Sequence, residues 1–137
     1  MSSFITTLIF ALLASQISVL AAPVSPAADT LEKRLTRSGR GTWFKPGMGN
    51  CGQRNTDNDP IVAIGGHLYN QNNGGNCDQW VQITANGKTA YGLTRDSCPE
   101  CSDDDLDMSP SLFKKFAGLD VGVLDIKWSF KPKGWSP

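Results

Sequence analysis

A chain of 137 residues can hold one domain built on one core. Its 13 basic and 13 acidic residues cancel, so it lacks the basic excess by which nucleic-acid binders hold phosphates. No internal repeat, coiled-coil heptad or long low-complexity tract is present, which excludes solenoid and fibrous architectures.

From the N-terminus, Phe4-Ile5-Thr6-Thr7-Leu8-Ile9-Phe10-Ala11-Leu12-Leu13-Ala14 opens an apolar stretch that runs on to Val19-Leu20-Ala21-Ala22, small residues of the kind signal peptidase accepts. Ser15, Gln16 and Ser18 interrupt it short of the ~20 apolar residues that a membrane-spanning helix needs. Residues 1–22 therefore read as a signal peptide, and the protein is expected outside the cell with no membrane anchor. The Pro/Ala-rich stretch 23–34 has no periodicity and ends in the dibasic pair Lys33-Arg34, as a pro-segment or a disordered linker does. The folded unit is expected over residues 35–137. Asp29, Glu32, Lys33 and Arg34 remove equal numbers of each sign, so that unit is neutral as well.

Cys51, Cys77, Cys98 and Cys101 all lie in this unit, and an oxidising compartment turns an even count into two disulfides with three connectivities open. Short runs separated by Gly, Asn, Asp and Pro clusters predict an all-β domain. Gln71-Asn72-Asn73-Gly74-Gly75-Asn76 reads as a flexible loop. After it, Val81–Ala85 and Lys88–Thr94 flank Asn86-Gly87, a pair suited to the type I′ turn because both residues tolerate positive φ. That turn sets Ala85 opposite Lys88 and, stepping outward, Cys77 near Asp96 and Cys98. The register thus favours Cys77–Cys98 and leaves Cys51–Cys101.

Cys98-Pro99-Glu100-Cys101 has the spacing of a redox dithiol or half a zinc site. The strand–helix context of a thioredoxin is missing and the single His67 reads as a surface or turn residue, so neither metal nor redox chemistry is expected. Asp103-Asp104-Asp105 has neither the glycine turn nor the distal glutamate of a calcium loop, since Met108 and Lys114 stand there, and is expected to be a solvated acidic turn. Ser109 as N-cap, Pro110 in the first turn and Gly118 as a left-handed stop predict a helix whose Leu112, Phe113 and Phe116 close one end of the domain. Leu124-Asp125-Ile126-Lys127-Trp128-Ser129-Phe130 alternates apolar and polar, a strand with Trp128 on its buried face.

Taken in order, Gly41-Thr42-Trp43-Phe44, Gly49-Asn50-Cys51-Gly52, Ile61-Val62-Ala63-Ile64, Asn76-Cys77, Thr94 through Cys101, Leu106-Asp107-Met108-Ser109-Pro110 with Phe113, and Gly122-Val123 through Phe130 resemble the rare lipoprotein A-like double-psi β-barrel of fungal secreted proteins. The resemblance covers nearly all of residues 35–137. Within that superfamily the chain most resembles loosenins, single-domain relatives of expansins, and it is similar to barwin-like proteins and a small bacterial papain inhibitor. This implies a six-stranded double-psi β-barrel with one or two short helices and two disulfides. A monomer is expected.

The resemblance to expansins implies that Asp96 and Asp107 edge a polysaccharide groove, with Asp107 matching the general acid of related cellulases and Glu100 and Thr42 matching other groove residues. Hydrolysis needs two carboxyl groups, one giving a proton and one activating water. In those cellulases the base comes from the first strand, where this chain has Thr42-Trp43-Phe44-Lys45, so no catalytic residue and no cofactor is expected. Carboxylates accept hydrogen bonds from sugar hydroxyls and aromatic faces stack on sugar rings, which makes Trp43 and Phe44, with Tyr69, Trp80 and Trp135, candidate platforms. The expected function is non-lytic binding of cellulose, chitin or β-glucan that loosens the cell wall. The alternative is a secreted proteinase inhibitor or host-interaction protein of the papain-inhibitor or barwin type, with a protease as partner.

Overall fold

The computed structural model describes residues 35–137, so the signal peptide and pro-segment read over 1–34 lie outside the described residues. Six strands close into a barrel: β1 (Arg37–Trp43), β2 (Ile61–Gly65), β3 (Trp80–Ala85), β4 (Lys88–Cys98), β5 (Leu106–Met108) and β6 (Leu124–Phe130), in the spatial order β1-β5-β2-β4-β3-β6. Helix α1 (Gly66–Gln71) follows β2, and α2 (Pro110–Phe113) follows β5, with a 3-10 turn at Leu119–Val121 leading into β6. The pairs β1–β5 and β2–β4 are parallel and the rest antiparallel. Parallel neighbours cannot be joined by a tight turn, so long connections cross the barrel ends, and the arrangement is that of a double-psi β-barrel.

The interior is filled by alternate residues of the strands. Val62, Ile64, Val81, Ile83, Leu106, Met108, Ile126, Trp128 and Phe130 are buried, each large side chain stabilising the fold by about 1.5–3 kcal/mol. Gly41 and Gly92 leave room for neighbouring core side chains: a Cβ would meet Met108 Cε at 2.6 Å in the first case, and Leu112 Cδ2 and Val62 Cγ1 at 2.7 Å in the second. Trp128 is inside as its period required, with Nε1 donating to Asp104 O at 2.8 Å. The β3–β4 hairpin has the expected register, Ala85 opposite Lys88 through Trp80 opposite Leu93, and its turn residues Asn86 and Gly87 take φ of 51° and 71°.

The disulfides are Cys51–Cys77 and Cys98–Cys101, which corrects the pairing expected from that register. The ladder stops short of the cysteines. Thr94 N–H donates to Gln79 O at 3.0 Å and Asp78 N–H to Thr94 O at 2.9 Å; Asp78 then takes a φ of 65°, turning Cys77 away from β4. There it meets Cys51, whose N–H donates to Arg95 O at 3.2 Å. Cys98 instead pairs with Gly65 of β2, and the chain folds back so that Cys101 N–H donates to Cys98 O at 3.2 Å.

The α2 region differs from expectation at both ends. Ser109 makes no side-chain cap to its own helix; its buried Oγ accepts from Ile61 N–H at 3.3 Å and ties α2 to β2. Gly118 is extended, with φ −63° and ψ 151°, not left-handed. Leu112, Phe113 and Phe116 are nonetheless buried at the barrel end. The Gln71–Asn76 stretch, expected as a flexible loop, is pinned by amides: Asn72 Nδ2 donates to Asn76 Oδ1 at 2.7 Å, Asn76 Nδ2 to Gln79 Oε1 at 3.0 Å, and Gln79 Nε2 to Lys131 O at 2.9 Å. Among the described residues no helix is long and apolar enough to cross a membrane.

Candidate functional site

Strand register assembles the polar row that the site is built on. The parallel β1–β5 ladder sets Thr42 opposite Asp107, the antiparallel β5–β2 ladder sets Asp107 opposite Ala63, and the parallel β2–β4 ladder sets Ala63 opposite Asp96. The last step depends on a register shift between Val62 and Ala63. Along β4, Ala90, Gly92 and Thr94 face inward, and regular alternation would turn Asp96 inward too; the irregularity reverses the parity and re-aims Asp96 outward. With strands ~4.8 Å apart, two steps put the backbones of Asp96 and Asp107 about 10 Å from each other across the small Ala63.

The two carboxylates have different surroundings. Asp96 Oδ1 accepts from the backbone N–H of Asn50 at 2.9 Å and of Ser97 at 2.8 Å, so it fastens the β1–β2 loop to β4. Asp107 is half-buried, and its Oδ1 accepts from Thr42 Oγ1 at 2.9 Å. Burial pushes the Asp107 carboxyl above its ordinary value of 3.8; the Thr42 hydrogen bond opposes this, and the charge of Asp96 adds to it.

A cleft of about 200 Å³ opens beside Asp107, lined by Arg40, Thr42, Cys98, Glu100, Cys101, Asp105 and Asp107. It brings together Thr42, Glu100 and Asp107 of the expected site; Asp96 stands on the same row but not in the lining. The aromatics lie elsewhere. Trp43 packs on the core, donates from Nε1 to Leu119 O at 2.9 Å, and edges a separate cavity of about 560 Å³ with Lys45 and Lys114. Phe44 is half-buried, its N–H donating to Met108 O at 2.9 Å. Tyr69 packs on the core and donates to Asn50 O at 3.1 Å. Trp80 lies opposite Leu93 on the hairpin. Trp135 covers Tyr91, ring centroids 5.0 Å apart, beneath Lys131 Nζ.

Sequence reasoning missed Arg40, Asp105 and the disulfide in this cleft. Arg40 is two residues before Thr42 on one strand, and the period of two alone would have placed them on one face. Nothing local in the sequence reveals that β1 lies parallel to β5. In the acidic turn, Asp103 meets His67 Nδ1 at 2.9 Å, Asp104 meets Arg37 at 3.3 Å, and Asp105 Oδ1 accepts from Arg40 N–H at 2.9 Å. Each carboxylate has its own protein partner, and among the described residues no group of three or more His, Cys, Asp or Glu side chains is placed to hold a metal ion.

No family model matches the chain. The papain inhibitor of Streptomyces mobaraensis is 33% identical over 124 residues, covering 85% of this chain and 85% of its own length. The solved structure of the Streptomyces papain inhibitor superposes with a TM-score of 0.64 at 33% identity, covering 70% of this chain and 94% of that one. An expansin of Clavibacter michiganensis shares the fold, with a TM-score of 0.66 at 22% identity over 75% of this chain and 54% of its own. A substituted form of that expansin, solved in complex with cellohexaose, matches with a TM-score of 0.66 at 21% identity.

Proposed function

This chain belongs to the family of the Streptomyces papain inhibitor, and from that premise we propose that it is a secreted member that binds extracellular polysaccharide without cutting it, loosening cell walls as loosenins and expansins do. The observation that carries the reading is Asp107: a half-buried carboxylate in an open cleft whose one internal partner is the Thr42 hydroxyl. A carboxylate with unused acceptor capacity takes hydrogen bonds from sugar hydroxyls, and Arg40 and Glu100 in the same cleft add a donor and an acceptor. The cellohexaose held by the expansin that shares this barrel supports a glucan chain as ligand.

Turnover is not part of the proposal. Bond cleavage would require a second carboxylate placed to activate water beside Asp107, and Asp96, whose Oδ1 holds two amides, does not line the cleft. Glu100 is the remaining candidate, so the assay must include it. Pull-down on cellulose, chitin and β-glucan should retain the wild type and release Asp107→Ala; absence of retention on all three refutes the reading. Released reducing ends that vanish in Asp107→Asn and Glu100→Gln would refute its non-lytic half.

The kinship with a papain inhibitor favours a second reading, in which barrel loops are presented to a protease. Titration against papain-like and subtilisin-like proteases separates the two, because a glycan binder leaves both unaffected.

A further inference from the structure

We propose that the Cys98–Cys101 disulfide is a thiol–disulfide exchange site: a thiolate entering the Asp107 cleft attacks one of its sulfurs, and Asp107 exchanges the proton of the sulfur displaced. The proposal goes beyond both functional readings and depends on neither. It grows from the corrected connectivity, because Cys98 and Cys101 bonded to each other recreate the dithiol spacing that the expected pairing would have dispersed.

Both half-cystines are partly exposed and line the cleft with Arg40, Thr42, Glu100 and Asp107. Its volume of about 200 Å³ equals roughly seven waters, room for the tip of a thiol-bearing chain. Cys51–Cys77 does not line this cleft: Cys51 Sγ lies 3.9 Å from Thr94 O and Cys77 Sγ 3.9 Å from the Tyr69 hydroxyl. Cys98 and Cys101 are three positions apart, and the Cys101 N–H to Cys98 O hydrogen bond shapes the turn without the sulfurs. The dithiol form therefore keeps its sulfurs together and recloses readily.

The charged groups facing the site are Arg40 from β1, Glu100 from the turn itself, Asp105 just before β5 and Asp107 on β5, with Asp96 of β4 behind Ala63. Asp105 is occupied by the amides of Arg40 and Ser102. The Arg40 guanidinium attracts an approaching thiolate, against the opposing charges of Glu100, Asp105 and Asp107 in the same lining. Asp107 lines the cleft with both half-cystines, which places it to relay protons to the displaced sulfur, and burial lets it keep a proton to higher pH than an ordinary carboxyl.

In the exchange, the incoming sulfur forms an S–S bond as the Cys98–Cys101 bond breaks. The bonding pair leaves with the displaced sulfur, which takes a proton that Asp107 relays from solvent. A second thiolate then attacks the outside sulfur of this mixed disulfide and displaces the protein sulfur, which is protonated in the same way, leaving Cys98 and Cys101 as a dithiol while two outside thiols are oxidised to a disulfide. The shared chemistry is a thiolate, carried by a small thiol or presented by a partner protein.

The test incubates the folded protein with graded reduced glutathione, active papain, or papain with its thiol blocked, then quenches with acid, alkylates and maps peptides by mass. Opening or adduct formation is expected at Cys98 and Cys101 at thiol concentrations at least about tenfold below those that open Cys51–Cys77. An adduct with glutathione alone assigns small thiols, and one with active but not blocked papain assigns a protein thiol. Equal opening of both disulfides, or no opening short of denaturation, overturns the proposal. Asp107→Asn should slow exchange in the folded protein and flatten its pH profile, with no change for the unfolded chain; an unaltered profile removes Asp107 from the step.

Discussion

At the Cys51–Cys77 corner side chains brace the backbone, although the buried Thr94 Oγ1 and Arg95 Nε and Nη1 have no hydrogen-bond partner. Asp96 accepts two amides, Tyr69 donates to Asn50 O, Asn50 Nδ2 donates to Ser97 Oγ, and Arg95 Nε lies 3.4 Å from Asp78. At the Cys98–Cys101 corner, two strand steps along the row, Asp107 has a single partner, Glu100 is exposed, and the disulfide faces the cleft. Both corners present an acid on the same outward row, so position on the barrel does not separate them. What separates scaffold from site is what the acid holds: Asp96 fastens two backbone amides, Asp107 one side-chain hydroxyl beside a cleft.

The contrast can be broken most forcefully at the disulfides. Their sequence separations are 26 and 3; on chain entropy, replacing Cys51 and Cys77 together by Ser should cost about 3.5 kcal/mol, and replacing Cys98 and Cys101 about 2 kcal/mol. Urea titration of the two double variants measures the difference, and equal losses would dissolve the distinction between the corners. Next comes the acid pair. Asp96→Ala leaves the Asn50 and Ser97 amides without an acceptor and should cost about 1–3 kcal/mol. Asp107→Ala should change stability by under about 1 kcal/mol, since removing a half-buried charge offsets the lost Thr42 bond. Glycan retention should show the reverse order: Asp107→Ala is lost from the pull-down, while folded Asp96→Ala is retained.

The strands with local signals were legible. The Asn86-Gly87 turn fixed its own register, and the even-numbered face of Leu124–Phe130 is buried as its period required. What escaped were contacts set by non-local pairing. The cysteine pairing failed because it extended a ladder past the point where Asp78, at φ 65°, leaves it. The helix stop failed because Gly118 is extended while Asn86 Nδ2 donates to Phe116 O at 3.1 Å, a long-range contact with no local trace. Asp107, Thr42 and Glu100 line one cleft. The aromatic platforms do not join them, because whether Trp43 meets solvent or core depends on Leu119, which is 76 residues away in sequence.

The smallest effect sharpens the comparison through pH. Burial raises the Asp107 carboxyl above 3.8, so between that value and its folded one the native state binds more protons than the unfolded chain, and stability falls as pH rises through the window. Asp59 and Asp105 act in the opposite sense. The Thr56 amide chiefly holds Asp59 down; Asp105 is pushed up by burial but carried below 3.8 by the amides of Arg40 and Ser102. Their stabilisation is complete above 3.8 and is lost as pH falls through their folded values. Thermal melts of the wild type and Asp107→Asn, taken as a difference across pH, isolate the first contribution: it should be flat below pH 3.8 and then decline until Asp107 is fully ionised. Asp96→Asn, which keeps a carbonyl acceptor for the two amides, removes only the charge behind Ala63 and should move that decline slightly to lower pH. A decline that stays in place would mean that burial alone raises Asp107 and that the two acids do not interact along the row.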